Sequence, residues 1–339
     1  MTKIQKEVLV TGGTGFIGKN LVNKLVNSGY QIRVLTRQPD KQLGVLPEQG
    51  MSSVTYVQGD IGKLEDVVCA STGIETIFHL ASAMSGDWDE YQNSTIKGMD
   101  NVLHACVRNN VKSLIYVSTI NVYDAKNYPE GSVIDEGFQF EDQPERRGSY
   151  SNAKLTAEKM LLANKSTLPA SIIIIRPGLV YGKKENFMPL DAGKILLNRF
   201  IIVLGMGNRK LPVIYIENLI DALLLSTDAN FSNERMSIFN IVDDDYPTQN
   251  KFISFYSNII NRKYIPIYIP LIFLKPFFYL ADRLVFIFTG KKINLLYKLN
   301  AIVKTPLFST DSAKKIIKWH QKKDFEHGMK YSLEVRKGE

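Results

Sequence analysis

Cysteine is nearly absent. Cys69 and Cys106 are the only two in 339 residues, and neither belongs to a CxxC pair or a Cys/His cluster. This excludes a disulfide framework and a structural zinc site, and it suits a reducing, cytoplasmic setting. An unbroken apolar run is also lacking. The most apolar stretch, residues 264–289, is interrupted by Pro266, Pro270, Lys275, Pro276, Asp282 and Arg283, which makes it a poor membrane span. It is left to touch a bilayer peripherally, to line an apolar pocket, or to serve as ordinary helix-packing core. No signal peptide is expected, because the first residues run straight into a glycine-rich turn. Internal repeats and low-complexity tracts are missing too.

Acid is in deficit. The chain carries 42 Lys and Arg against 34 Asp and Glu, a formal charge of +8. The surplus is spread out except near the C-terminus, around Lys314, Lys315, Lys318, Lys322 and Lys323. We read that cluster as a solvated helix end, so no nucleic-acid partner is expected. With 45% hydrophobic and 22% charged residues, the composition is that of a globular protein.

The first half alternates short β-branched runs with helical patterns. Strands are expected at 7–10, 31–35, 54–57, 76–80, 114–117 and 171–175. Helices are expected at 15–27, 63–70, 89–109 and 150–164. Apolar strands separated by helices imply an α/β fold with a parallel sheet covered on both faces. Right-handed crossovers then make it doubly wound, in the Rossmann manner. Strands at 213–216 and 238–242, with a helix at 218–227 between them, are expected to return to this sheet. The expected division is a dinucleotide-binding domain of residues 1–182 plus 213–242. A smaller substrate-binding lobe would comprise 183–212 plus 243–330.

The segment VLVTGGTGFIGKNLVNKLV reads as a buried strand, a tight turn and an amphipathic helix. Gly12 and Gly13 permit backbone conformations that a Cβ would hinder. Gly15 lets the main chain approach a pyrophosphate, and Gly18 lets helix pack closely on strand. The helix start, with Phe16 and Ile17, points N–H groups and the positive dipole end at the phosphates. An acid closing the second strand would bond a ribose 2′-hydroxyl, whereas an arginine would receive a 2′-phosphate. Here Arg37 stands there, with Lys41 nearby and no acid before Asp40. NADP(H) is therefore favoured over NAD(H), unless Arg37 is only a solvated charge. Asp60, after the third strand, would accept from the adenine amino group or else cap the helix beginning near Lys63.

Tyr150-Ser151-Asn152-Ala153-Lys154 puts Tyr150 and Lys154 on one helix face. A phenol exchanges protons near neutrality only if its pKa of about 10 is lowered, which a neighbouring ammonium would do. His79 and His104 are expected in the core without metal-ligand company, and no metal site is expected. Tyr123 and Tyr181 read as packing residues.

Taken in order, TGGTGFIG, Gly59-Asp60, Phe78-His79-Leu80-Ala81-Ser82, Tyr116-Val117-Ser118-Thr119, Tyr150xxxLys154 and Arg176-Pro177-Gly178 resemble the extended short-chain dehydrogenase/reductase family. It is also called the NAD-dependent epimerase/dehydratase group, and the likeness runs from Val8 to about Gly328. The resemblance implies that Tyr150 is the general acid/base at a carbinol or carbonyl oxygen. Lys154 would hold the nicotinamide ribose and tune Tyr150. Thr119 would hydrogen-bond the same oxygen, with Ser118 taking that part if the register is one residue off. Ala81 and Ser82 would lie along the cofactor, with Ile61 beside the Asp60 end and Pro177 and Gly178 near the nicotinamide amide. A homodimer through two helices is also implied.

Within that family, dehydratases carry an Asp-Glu pair after the threonine. This chain has Ile120-Asn121, so that branch falls. Sugar-nucleotide epimerases resemble one another in having Asn where Leu179 stands, and an arginine near Leu211 to hold a diphosphate. Arg209 lies two residues away and could substitute. The stretches Ser94 to Met99, with Thr95 in place of Asn, and Gly207 to Leu211 look more like the 3β-hydroxysteroid dehydrogenase and dihydroflavonol reductase branches. The expected activity is hydride transfer to or from a secondary alcohol or ketone of an apolar small molecule, sterol-like or other. A nucleotide-sugar epimerase is the alternative, followed by a non-catalytic NADP-sensing protein.

Overall fold

The computed structural model describes residues 7–39, 53–124, 127–128, 131–182, 189–228, 235–304 and 306–334. Its strands, in chain order, are β1 (Glu7–Thr11), β2 (Gln31–Thr36), β3 (Val54–Gln58), β4 (Thr76–His79), β5 (Ser113–Val117), β6 (Val133–Ile134), β7 (Ser171–Pro177), β8 (Leu179–Tyr181), β9 (Lys194–Leu196), β10 (Phe200–Leu204), β11 (Val213–Tyr215), β12 (Met236–Ile241), β13 (Ile265–Ile269) and β14 (Leu307–Phe308). The helices are α1 (Phe16–Asn27), α2 (Leu64–Ala70), α3 (Trp88–Tyr91), α4 (Lys97–Arg108), α5 (Pro144–Arg147), α6 (Ser149–Ala163), α7 (Ile216–Asp228), α8 (Gln249–Ile259), α9 (Leu271–Thr289), α10 (Leu295–Val303), α11 (Asp311–Ile316) and α12 (Phe325–Glu334).

Seven strands form one parallel sheet in the order β12-β7-β5-β4-β1-β2-β3. Side chains alternate between its two faces, as the two-residue period of a strand requires. Val8 and Val10 pack with Leu21, Leu25 and Leu219, on the side of α1 and α7. Leu9 faces the other way, with Val67, Met99, Val102 and Leu161 from α2, α4 and α6. Ile173 and Ile175 against Ile172 and Ile174 repeat this division on β7. Both faces are dry, which is why these strands read as almost continuous apolar runs.

The strand order reverses between β1 and β4. In such a sheet the crevice at the carboxyl ends of the two strands is where a dinucleotide fits. Gly12 closes β1 and Ala81 follows β4 at this point.

Two expectations fail in the connections. β11 does not return to the main sheet but pairs in parallel with β8, register Val213 to Leu179. The chain turns off the sheet at Gly178, where a Cβ would lie 2.4 Å from the Pro212 carbonyl oxygen. That close approach brings β11 beside β8, and the Leu179 N–H donates to the same oxygen at 2.8 Å. β12, in contrast, joins the sheet beside β7 as expected. The helix expected over 89–109 is also not continuous: a π-turn, Gln92–Ile96, separates α3 from α4.

Beyond the main sheet lie the β9-β10-β13 sheet, the short pair β6 and β14, and α9 and α10, whereas Phe252 of α8, Ala313 of α11 and Phe325 of α12 pack into the core on the α1 and α7 side. Residues 264–289 are not helix-packing core. On α9 only Leu274 is buried, while Ile272, Phe273, Phe277, Ile287 and Phe288 are widely exposed. No helix among the described residues is long and apolar enough to cross a membrane. His104 is likewise not in the core but exposed on α4, 3.9 Å from Asp100. Three of the five basic residues near the C-terminus pair with acids nearby, Lys314 with Asp244, Lys322 with Asp221 and Lys323 with Glu217.

Candidate active site

The glycine turn is shaped as a cradle. Gly12 sits at φ +72°, and a Cβ there would meet the Ala81 nitrogen at 2.7 Å. A Cβ on Gly18 would come within 2.1 Å of the Gly12 carbonyl oxygen. Gly15 caps α1 with extended backbone and no side-chain cap, so the N–H groups at the start of the helix, from Phe16 to Gly18, are not capped by a side chain. Such a turn fits a pyrophosphate. Arg37 lies exposed just beyond β2, while Asp40 and Lys41 fall outside the described residues.

Asp60 does not cap α2, whose N-cap is Lys63. Its carboxylate accepts from the Gly62 N–H at 2.8 Å, and its own N–H donates to Asp66 at 2.8 Å. The neighbouring Ile61 carbonyl accepts from Asn101 at 2.8 Å, which ties this loop to α4. On the other side of the crevice, the Ala81 N–H reaches Thr11 Oγ1 at 3.4 Å. Thr95, buried in the π-turn, accepts from the Ala83 N–H at 3.0 Å and meets the Ser82 hydroxyl at 3.2 Å. The π-turn thus pins the loop that carries Ala81 and Ser82, a typical use of an extra residue per turn. Pro177 ends β7, and the Gly178 N–H donates to the Ile241 carbonyl at 3.0 Å.

Thr119 follows β5, and its hydroxyl accepts from the Asn121 N–H at 3.2 Å. It also hydrogen-bonds the Tyr150 phenol, which tends to lower that phenol's pKa. Ser118 points elsewhere: it is buried and its hydroxyl donates to Glu158. Of the two hydroxyls, Thr119 is the one that meets Tyr150. Lys154 is buried, donates to the Val117 carbonyl at 2.8 Å and lies 5.0 Å from the Tyr116 ring centre.

One electrostatic expectation is corrected here. Burial pushes the Tyr150 phenol up to about 12 against the pull of Thr119, and Lys154 is not among the groups that move it. Burial also brings the Lys154 ammonium down to about 7, with Glu158 opposing the fall. A charge in a dry site needs a partner, and Lys154 has a carbonyl rather than a phenolate.

Glu158 is the group that sequence spacing did not single out. It stands at the third position of the series Tyr150, Lys154, Glu158, four residues apart on one face of α6. Fully buried, it accepts from the Ser118 hydroxyl and from both Nε and Nη2 of Arg176, Nε at 3.0 Å. Arg176 continues to the Tyr123 hydroxyl at 2.7 Å, which donates onward to Asn240 at 2.6 Å. Tyr123 is thus a link in a polar chain as well as a packing residue. Tyr181 packs against Tyr215, Phe252 and Phe325. His79 is buried, holds Thr11 Oγ1 at 2.7 Å and is brought down to about 3 by burial and by Lys154.

A cavity of about 240 Å³ opens beside this group. Ile120 and Ser151, chain neighbours of Thr119 and Tyr150, are on its wall. Leu179, Pro212, Ala301, Ile302 and Phe308 supply apolar surface, while Arg147, Arg209, Lys298 and Lys304 supply charge. Residues 264–289 take no part in this lining. Arg209 is committed: it donates to the Asp191 and Ile302 carbonyls and pairs with the Asp191 carboxylate at 3.8 Å. Arg147 is held by the Tyr123 carbonyl at 2.8 Å and by Asn121 at 3.0 Å. Apart from the cavity, Asp124, Glu141 and Asp142 gather three carboxylates within 4.8 Å, where Tyr297 donates to Glu141.

Comparison with known proteins agrees with this geometry. A 2-alkyl-3-oxoalkanoate reductase of Stenotrophomonas maltophilia is 31% identical over 229 residues, covering 66% of this chain and 66% of that protein. A 3 beta-hydroxysteroid dehydrogenase/Delta 5→4-isomerase of Mycobacterium tuberculosis is 31% identical, covering 65% and 59%. The chain thus spans about three fifths to two thirds of the length of these curated relatives. Among solved structures, the UDP-glucose 4-epimerase of Thermotoga maritima with UDP-glucose superposes with a TM-score of 0.75 at 21% identity, covering 98% of this chain and 99% of that one. The UDP-glucuronic acid 4-epimerase of Bacillus cereus, with UDP-glucuronic acid and NAD, gives 0.74 at 17% identity over 98% and 99%. At such identities these two show a shared fold. Residues 8–241 match the NAD dependent epimerase/dehydratase family, and with the sheet order and the glycine turn in place the chain belongs to that family of extended short-chain dehydrogenases/reductases.

Proposed function

We propose that this protein is an NADP(H)-preferring oxidoreductase acting on a secondary alcohol or ketone of an amphiphilic, largely apolar small molecule. The observation that carries the reading is the state of Arg209. In a pocket wall that is half apolar, the arginine best placed to clamp a diphosphate already has both terminal nitrogens held by the Asp191 and Ile302 carbonyls, with its buried Nε left over. Replacing such buried partners by a ligand phosphate would leave Asp191 uncompensated, which is costly. The sequence relatives near 30% identity, a ketoacid-type reductase and a steroid dehydrogenase by name, support the same side.

Tyr150, with its phenol protonated through neutrality, delivers a proton to the carbonyl oxygen in the reducing direction and takes it back in the oxidising one. Thr119 donates a hydrogen bond to that oxygen and holds the phenol in line. Lys154 orients the nicotinamide ribose from beneath Val117. Gly12, Gly15 and the start of α1 hold the pyrophosphate, and Arg37 meets a 2′-phosphate. The nicotinamide, when bound, supplies or accepts the hydride. Lys298, on the cavity wall, would hold a carboxylate on an otherwise apolar substrate.

A nucleotide-sugar epimerase is the second reading, favoured by the four cations around the cavity. The two separate in one assay. Purified protein is given NADPH or NADH with long-chain 3-oxo acids and steroid ketones, and in parallel with UDP-sugars. Net loss of reduced cofactor with a ketone supports the oxidoreductase. Sugar interconversion without net cofactor change overturns it.

A further inference from the structure

α9 is a 19-residue helix with one buried residue, Leu274. Phe273, Phe277, Leu280, Leu284, Ile287 and Phe288 recur at one-turn spacing and are all exposed. Leu274, Phe278, Ala281 and Val285, about a quarter-turn further round the helix, are the more covered ones. β13, at the edge of its three-stranded sheet, adds exposed Ile265, Ile267 and Tyr268. A monomer in water gains nothing from such a surface, and its extent marks a docking face.

Charge identifies what it docks on. Between residues 262 and 292 the cations are Arg262, Lys263, Lys275, Arg283, Lys291 and Lys292, all exposed. The single acid is Asp282, whose carboxylate is used internally, accepting from the Leu295 and Leu296 N–H groups at 2.8 and 3.0 Å. A second copy docked two-fold on this face would bring the same cations together unpaired. An anionic lipid surface matches both the apolar face and its basic border. At 19 residues the helix is too short of apolar sequence to span, yet long enough to lie in the headgroup plane.

We propose that α9, with the edge strand β13, seats this protein on an anionic bilayer surface. The helix lies flat, its phenylalanines reach the acyl boundary, and the lysines at 291 and 292 contact headgroup phosphates. The proposal is independent of the reaction assigned to Tyr150.

Co-sedimentation of the full chain with vesicles tests it. Vesicles of phosphatidylcholine alone are compared with vesicles that include phosphatidylglycerol, at low and high salt. The expected result is pelleting with the anionic vesicles at low salt, weaker by about tenfold or more on the neutral ones. Phe273→Ser with Phe277→Ser and Phe288→Ser should cut that binding by about tenfold or more. Lys291→Glu with Lys292→Glu should erase the lipid preference. Because all five side chains are exposed, both variants should keep wild-type NADPH affinity and circular dichroism. The proposal is overturned by absence of binding to either vesicle at low salt, or by binding that neither variant changes. It is equally overturned if the face instead forms a dimer in sedimentation velocity that the phenylalanine variant abolishes while vesicles remain unbound.

Discussion

Tyr150 and Lys154 sit one turn apart on α6, and burial drives both to their neutral forms: the phenol rises to about 12 and the ammonium falls to about 7. Near neutral pH the tyrosine therefore keeps its proton, while the lysine is close to its midpoint and shares its proton with solvent. A site so biased is set to give a proton before it takes one.

The direction of the reaction should follow from this. Carbonyl reduction uses the phenol, which stays protonated through neutrality, so its rate should be flat between pH 6 and 8. Alcohol oxidation uses the phenolate, whose fraction grows tenfold with each pH unit below the pKa, so its rate should climb across the same range. Steady-state rates in both directions check this, and an oxidation rate that falls with pH would contradict it. Tyr150→Phe should lower kcat by about 10²–10⁴ and leave cofactor affinity nearly intact.

Lys154 carries a separate consequence for stability. Its folded pKa lies below its unfolded value of 10.5, so above about pH 7 the unfolded chain binds the extra proton. Stability contributed by this group therefore rises with pH from about 7 towards 10.5. Denaturation melts of the cofactor-free protein should show that rise in the wild type, and Lys154→Met should lose it.

The two hydroxyls after β5 should behave differently. Thr119→Val removes a hydrogen bond to Tyr150 and should reduce kcat by about 10- to 100-fold with little change in Tm. Ser118→Ala removes a donor from buried Glu158 and should lower Tm while sparing kcat. Kinetics and melting curves on the pair decide it, and the reverse pattern would place the register on Ser118.

Glu158→Ala should leave Arg176 charged and without its carboxylate in a site with no measurable exposure. The expected cost is about 3–5 kcal/mol of stability, measured by urea denaturation. An effect within 0.5 kcal/mol would show that the buried pair is not what holds α6 to β7.

Arg37→Ala should weaken NADPH binding by about tenfold or more, the worth of a charge-assisted hydrogen bond, and leave NADH binding unchanged. Titration of both cofactors by fluorescence reads the difference. Equal losses for both would return Arg37 to the status of a solvated charge.

What could be read in advance was local. The glycine turn, the strand sequence and the Tyr150–Lys154 spacing each depend on neighbours within a few residues, so pattern suffices. Glu158 was as regularly spaced, but its meaning depends on Arg176 and Ser118, which only the assembled sheet brings to it. β11 failed for the same reason: its apolar pattern fits a strand in any sheet, and the contact at Gly178 decides which. Thr95 lay in a helical pattern that conceals a π-turn, since one additional residue leaves the periodicity almost intact. His104 was misplaced because one residue on a helix can turn either way within a small error of phase. The run at 264–289 was legible as apolar but not as exposed, because hydrophobicity says nothing about whether a partner is present.

Arg209 holds carbonyls that come from Asp191 and Ile302, on either side of its own position and far apart in the chain. It works as a tie-rod between two segments of chain that are distant in sequence. Recombination between relatives would have to respect that tie. A chimera exchanging only residues 189–212, or only 243–334, cuts the rod at one end, whereas one exchanging both segments together carries the arginine and its anchors as a set.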